Sequence, residues 1–82
     1  MFTSVAPSDQ PDPYLAAAIR RLRIEKGLTQ EEVAGGAELT LMSYGEIDRG
    51  RSNPAWTTVR RIAESLDVSL AELAQAVEDA EG

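Results

Sequence analysis

Hydrophobic residues recur at helical spacing near the start of the chain. The apolar positions of the first such segment follow the i, i+3, i+4, i+7 spacing of one helix face: Leu15, Ala18, Ile19 and Leu22. This spacing predicts an amphipathic helix over residues 13–26. Pro13 suits its first turn, and Gly27 is the residue type that commonly follows the end of a helix.

Capping residues predict the next two helices. Thr29, with a glutamate three residues later, begins a capping-box pattern and predicts a second helix over residues 30–36. Thr40 is a good N-cap for a third helix over residues 41–49, which Gly50 would end. Only a short turn separates these two helices.

Two more helices are predicted beyond a loop at residues 50–54. The first, over residues 55–66, has an apolar face that we expect to be buried: Trp56, Val59, Ile62, Ala63 and Leu66. Ser69 begins a second capping box, and the fifth helix carries its own apolar stripe: Leu70, Leu73 and Val77. Since no segment alternates like a strand, the chain is predicted to be an all-α, compact five-helix domain.

The two ends of the chain differ from its middle. Residues 1–12 place prolines among polar residues without periodicity, and they are predicted to be a disordered N-terminal arm. The helical domain then covers residues 13–77, and an acidic C-terminal end covers residues 78–82.

Charge is distributed unevenly along the 82 residues. The net charge is −6, from 8 basic and 14 acidic side chains. All the basic residues lie within residues 20–61, whereas residues 62–82 contain acids and no base. Charges more than about 10 Å apart are largely screened at ordinary salt. The acidic total is therefore weak evidence against a nucleic-acid partner.

Several functional classes are disfavoured by the residue types that the chain lacks. It has no cysteine and no histidine, so thiolate and imidazole chemistry are both excluded. No run of 18 apolar residues is present, and the first residues lack the pattern of a signal peptide. We expect a soluble cytoplasmic protein that is not an enzyme, uses no cofactor or metal, and has no membrane partner.

A set of motifs spread over residues 13–74 is typical of one family. They are Leu22-Arg23, Lys26-Gly27-Leu28-Thr29-Gln30-Glu31-Glu32-Val33-Ala34, Leu39-Thr40, Ile47-Asp48-Arg49-Gly50, Asn53-Pro54, Val59, Ile62-Ala63, Leu66, Val68-Ser69-Leu70 and Leu73. With these motifs at these distances, the sequence resembles the lambda-repressor-like, Cro-type helix-turn-helix family of bacterial and phage regulators.

The resemblance implies a fold and a function. The helix-turn-helix would span about residues 30–49, and the helix at 41–49 would enter the major groove. The protein would then be a sequence-specific transcriptional regulator that binds double-stranded DNA at the nucleoid. The family also suggests a homodimer, which would form through the C-terminal helix or the N-terminal arm.

A helical wheel separates two faces of the third helix. Tyr44 and Ile47 fall on the inner face, whereas the outer face consists of Leu41, Met42, Gly45, Glu46 and Arg49, with Ser43 at its edge. We expect base contacts from Leu41, Met42, Ser43 and Glu46, because methyl groups suit thymine and a carboxylate suits the cytosine amino group. Phosphate contacts are expected from Thr29, Gln30, Arg49, Arg51 and Asn53.

Some of these residues also have a structural interpretation. Gln30 is expected to brace the third helix as well as to contact phosphate. Arg23 and Asp48 suit an internal salt bridge, and Asn53 is also a candidate cap for the fourth helix. The exposed pair Leu41 and Met42 is typical of a protein contact too. The alternative function is therefore a protein-interaction module, such as an antitoxin or a regulatory adaptor, on the same scaffold.

Overall fold

The computed structural model describes residues 10–82, which form five helices and no strand. The helices are α1 (Pro13–Glu25), α2 (Gln30–Gly36), α3 (Leu41–Asp48), α4 (Trp56–Ser65) and α5 (Leu70–Glu81). The prediction of an all-α fold is confirmed, and the predicted helix bounds differ by at most one residue where both ends were given. Most of the predicted arm, residues 1–9, lies outside the described residues. None of the helices in the described range is long and apolar enough to cross a membrane.

Side chains cap four of the five helices at their N-termini. Both predicted capping boxes are present, one at Thr29 before α2 and one at Ser69 before α5. The Thr40 hydroxyl accepts from the third backbone N–H of α3, and the Asp12 carboxylate caps α1. These bonds satisfy backbone N–H groups that a helix leaves unpaired, so they fix where each helix begins.

The connections after α1, α2, α3 and α4 all use the same turn. In each, one residue adopts a left-handed conformation: Gly27, Glu38, Gly50 and Asp67, with φ between 58° and 76°. The two backbone bonds of a Schellman motif accompany it, as in Leu39 N to Ala34 O at 2.8 Å after α2. Glu38 therefore carries the left-handed strain expected for a residue with a Cβ, about 1 kcal/mol. This turn sets the angle between α2 and α3.

A single hydrophobic cluster joins the helices. Its fully buried larger members are Ile19, Val33, Tyr44, Ile62 and Leu66. α1 packs against α5 and α3, while α2 packs against both α3 and α4. The helix α3 is consequently held on its inner side by two neighbours.

Trp56 is not part of this core, so the sequence-based prediction that it is buried was wrong. It is 64% exposed and is the first residue of α4, whose buried residues Ile62 and Ala63 lie nearer the other end of the helix. Trp56 instead lines an open groove of about 590 Å³ whose other apolar walls come from α1, α4 and α5, including Leu15, Val59, Leu70 and Val77. We call this surface the Trp56 groove.

Candidate nucleic-acid interface

A buried carboxylate fastens the inner side of α3 to α1 and α2. Asp48 is 2% exposed, and its Oδ2 lies 2.9 Å from Nε of Arg23. The Tyr44 hydroxyl donates to the same oxygen at 2.8 Å, and Nε2 of Gln30 donates to Oδ1 at 3.2 Å. Arg20 donates to the backbone carbonyl of Asp48 at 2.9 Å. We call these five residues the Asp48 network.

The Asp48 network confirms two predictions. The salt bridge between Arg23 and Asp48 forms, and Gln30 braces α3. Tyr44 is fully buried, and its hydroxyl finds a partner as a buried tyrosine requires. In the described part of the chain, every buried side-chain polar atom has a hydrogen-bond partner. The network therefore orients α3 without leaving an unsatisfied polar group behind it.

Burial and hydrogen bonding change the acid–base behaviour of two members of the network. Burial, and then the hydrogen bond to Asp48, raises the pKa of the Tyr44 hydroxyl above its usual range. The hydrogen bond to Asp48 is also the largest influence on Arg23, whose pKa is raised above its ordinary value. Both residues thus keep their protons, and their roles as donors to Asp48, over a wide pH range.

The outer face of α3 is open. Met42 is 80% exposed and Leu41 is 49% exposed, while Ser43 is exposed and Glu46 is partly exposed. Because α3 rises about 1.5 Å per residue, its eight residues span about 12 Å, close to the width of the major groove. The structure brings the four predicted base-contacting residues together on this short segment.

Two of the predicted phosphate-contacting residues are paired within the same surface. Nη1 of Arg49 lies 3.3 Å from Oε2 of Glu46, and Nη1 of Arg51 lies 3.8 Å from that oxygen. The Arg49 guanidinium also covers Gly45, where an added Cβ would stand 2.9 Å from Nη1. Gly45 is buried for this reason, although it belongs to the outer face. The helical wheel did not reveal this arrangement, although the spacing of Glu46 and Arg49 permits an ion pair.

Asn53 ties the loop after α3 to the segment before α1. Its Oδ1 accepts from the backbone N–H of Asp12 at 2.9 Å, and its Nδ2 donates to the backbone carbonyl of Gln10 at 2.8 Å. The alternative interpretation of Asn53 as the cap of α4 is wrong, because the N-cap is Ala55 and no side chain bonds there. The tie joins residues more than 40 positions apart, which local sequence patterns do not show.

Thr29 and Gln30 lie at the start of α2. Thr29 is exposed, and its hydroxyl accepts from the backbone N–H of Glu32 while the Glu32 carboxylate accepts from the backbone N–H of Thr29. Gln30 is half-buried because its amide reaches Asp48. Thr29 is thus an exposed residue whose hydroxyl can still donate, whereas the Gln30 side chain already has a structural partner.

Comparison with known sequences identifies relatives among regulators. A sequence model of a helix-turn-helix domain matches residues 14–76. The HTH-type transcriptional regulator DdrOP3 of Deinococcus deserti is 31% identical over 64 residues, which make up 78% of this chain and 50% of that protein. The cryptic phage CTXphi transcriptional repressor RstR of Vibrio cholerae is 38% identical over 58 residues, covering 71% of this chain and 52% of the repressor. The chain thus spans about half the length of these two relatives.

A solved structure has a similar fold over most of this chain. It is the tetramer of the restriction-modification controller protein C.Esp1396I in complex with its natural 35 base-pair operator. The TM-score is 0.78 and the sequences are 25% identical, over 82% of this chain and 88% of that one.

We expect Tyr44→Phe to lower the free energy of unfolding by about 2 kcal/mol at pH 7, because a hydrogen bond to a carboxylate is lost. The unfolded tyrosine has a pKa of about 10, and the pKa of Tyr44 is raised in the folded protein. The contribution of the hydroxyl is therefore fully present below about pH 10 and is lost as the pH rises through the folded-state pKa. Urea unfolding from pH 7 to 11 should show a steeper alkaline decline for the wild type. Equal declines for both proteins would contradict this account of Tyr44.

Proposed function

The chain belongs to the helix-turn-helix domain family, and from this premise we propose that it is a sequence-specific transcriptional regulator that binds double-stranded DNA. One observation carries the proposal: the inner side of α3 is fastened by the Asp48 network, while its outer side exposes Leu41 and Met42 to solvent. A helix held in this way can enter the major groove without rearrangement.

In the proposed complex, four residues of α3 contact bases. Leu41 and Met42 pack against thymine methyl groups, which are the apolar features of the major groove. The Glu46 carboxylate accepts from the cytosine amino group, and the Ser43 hydroxyl bonds at the edge of the contact. Sequence is thus recognised chiefly through thymine and cytosine, without a bidentate guanine contact from α3.

Phosphate contacts position the protein on the duplex. We assign them to the side chains of Arg49 and Arg51 after α3, and to Thr29 and Gln30 at the start of α2. The side-chain amide of Asn53 carries two N–H groups, one of which binds Gln10; the other is proposed to reach a phosphate. The protein acts in this way in the bacterial cytoplasm, at the nucleoid, without catalysing a reaction or holding a cofactor.

The Trp56 groove is the proposed surface for a homodimer. It combines the exposed Trp56 with Leu70 on α5, so an apolar surface of the C-terminal helix faces solvent in the single chain. Regulators commonly bind two-fold operators as symmetric dimers, and the similar controller protein is a tetramer on its operator. The predicted arm is a second candidate for joining subunits.

The exposed apolar pair Leu41 and Met42 also supports a second candidate function. An interaction module, such as an antitoxin or a regulatory adaptor, would use these side chains to contact a protein instead of bases. The two functions differ in what a double substitution of Leu41 and Met42 by alanine would change. Duplex affinity falls if these residues contact bases, whereas it stays the same if they contact a protein.

We expect DNA binding with a strong dependence on salt. With two arginines in each subunit neutralising phosphates, log K should fall with log[salt] with a slope of about −4 for a dimer. The measurement is fluorescence anisotropy at several salt concentrations, with a random-sequence duplex and with a duplex selected by the protein from a random library. An affinity that does not change with salt concentration, or no binding of either duplex at 50 mM salt, would contradict the proposed function.

A matched pair of substitutions separates the dimer surface from the DNA surface. We expect Trp56→Ala to weaken self-association by about 30-fold or more, since buried tryptophans are frequent interface hot spots worth about 2 kcal/mol. Because Trp56 is exposed in the single chain, the fold should persist. Met42→Ala should leave self-association unchanged and lower duplex affinity. Sedimentation equilibrium and anisotropy measure the two effects; unchanged sedimentation of Trp56→Ala would rule out the Trp56 groove as the dimer surface.

A further inference from the structure

We infer that Glu46 determines specificity by masking the charge of the two arginines that follow α3. Its carboxylate pairs with these arginines in the free protein and with a base in the complex. The inference rests on the proposed DNA-binding function and adds a second role for Glu46. In the free protein, one carboxylate oxygen of Glu46 serves both Arg49 and Arg51, at 3.3 Å and 3.8 Å. The positive charge available to phosphates is thereby reduced on the surface where it is needed.

The backbone brings these three side chains together. α3 ends in a Schellman turn in which Gly50 has φ of 76° and the backbone N–H of Arg51 donates to the carbonyl of Glu46 at 2.8 Å. Arg51 is therefore returned to the level of Glu46 along the helix axis. Gly45 leaves room for the Arg49 guanidinium to lie back along the helix, since a Cβ there would stand 2.9 Å from Nη1. Both arginines are thus placed beside Glu46 by the path of the chain.

Binding to a duplex exchanges these ion pairs for others. Arg49 and Arg51 turn to phosphates, and the Glu46 carboxylate is left in an anionic groove. If the facing base is cytosine, its amino group donates to the carboxylate and the exchange is balanced. With any base that lacks such a donor, Glu46 loses its partners and gains only repulsion from phosphates. Glu46 therefore weakens binding to most sequences more than binding to the preferred one.

The size of the effect follows from the exposure of the ion pairs. The side chains of Glu46 and Arg49 are 41% and 49% exposed, and ion pairs at such exposure are individually weak. Masking is thus expected to alter affinity several-fold without abolishing binding. Repulsion between the Glu46 carboxylate and the phosphates lowers the affinity further, and salt screens that repulsion.

The test is Glu46→Gln, with Glu25→Gln as the matched control. Glu25 pairs with Arg21 on α1 at 3.3 Å, the same distance as the pair of Glu46 with Arg49, and it lies outside the surface of α3. Both substitutions change the net charge by one unit. We expect Glu46→Gln to bind a random-sequence duplex about 3- to 10-fold more tightly than the wild type, with a salt slope steeper by about 1 to 2 for each subunit. Glu25→Gln should match the wild type.

Selection from a random duplex library gives a second readout. The wild type should enrich cytosine at one position in each half-site, and Glu46→Gln should lose that preference. Equal affinities and slopes for Glu46→Gln and Glu25→Gln, or selection of the same base by wild type and Glu46→Gln, would overturn the role of Glu46 while leaving DNA binding intact. No binding by the wild type or by Glu46→Gln at 50 mM salt would instead refute the DNA-binding function, and this role with it.

Discussion

The buried ion pair between Asp48 and Arg23 fixes the orientation of α3, on which the exposed surface depends. A helix of eight residues is not stable by itself in water, so α3 relies on what holds its inner side. Asp48 supplies that hold through partners on both α1 and α2. Removing one member of a buried pair costs about 3–5 kcal/mol, a large share of the 5–15 kcal/mol that stabilises a typical domain. Folding and presentation of the outer face therefore depend on the same contact.

The two sides of α3 differ in how completely their polar groups are paired, and this difference suits a binding helix. On the inner side, Tyr44 and Asp48 are buried and their side-chain oxygens are hydrogen-bonded. On the outer side, Met42 is exposed and the charge of Glu46 is paired with exposed arginines. The inner contacts are costly to break, whereas the outer ones exchange readily with a ligand. The Trp56 groove belongs to other helices, so the proposed subunit contact and the proposed duplex contact need not compete.

Local features of the fold followed from the sequence. Two contacts between distant segments, the salt bridge of Arg23 with Asp48 and the brace from Gln30, were also predicted, but the others were not. Helix bounds and both capping boxes depend on residues within one turn of each other, which a sequence shows directly. Helical periodicity put Trp56 on the buried face of α4, but it does not show where neighbouring helices stop covering that face. The tie from Asn53 spans more than 40 positions. The side-chain paths of Arg49 and Arg51 depend on the turn at Gly50, which a helical wheel of α3 does not include.

The central claim is that the outer face of α3 meets the duplex while the Trp56 groove does not. Titration of the isotopically labelled protein with a selected duplex, followed by amide chemical shifts, tests it most directly. The account predicts the largest shifts at residues 29–30, 40–46 and 49–53. The signal of the Trp56 indole N–H should respond to subunit contact and not to contact with DNA. Shifts centred on Trp56 and α5, with residues 40–46 unchanged, would contradict it.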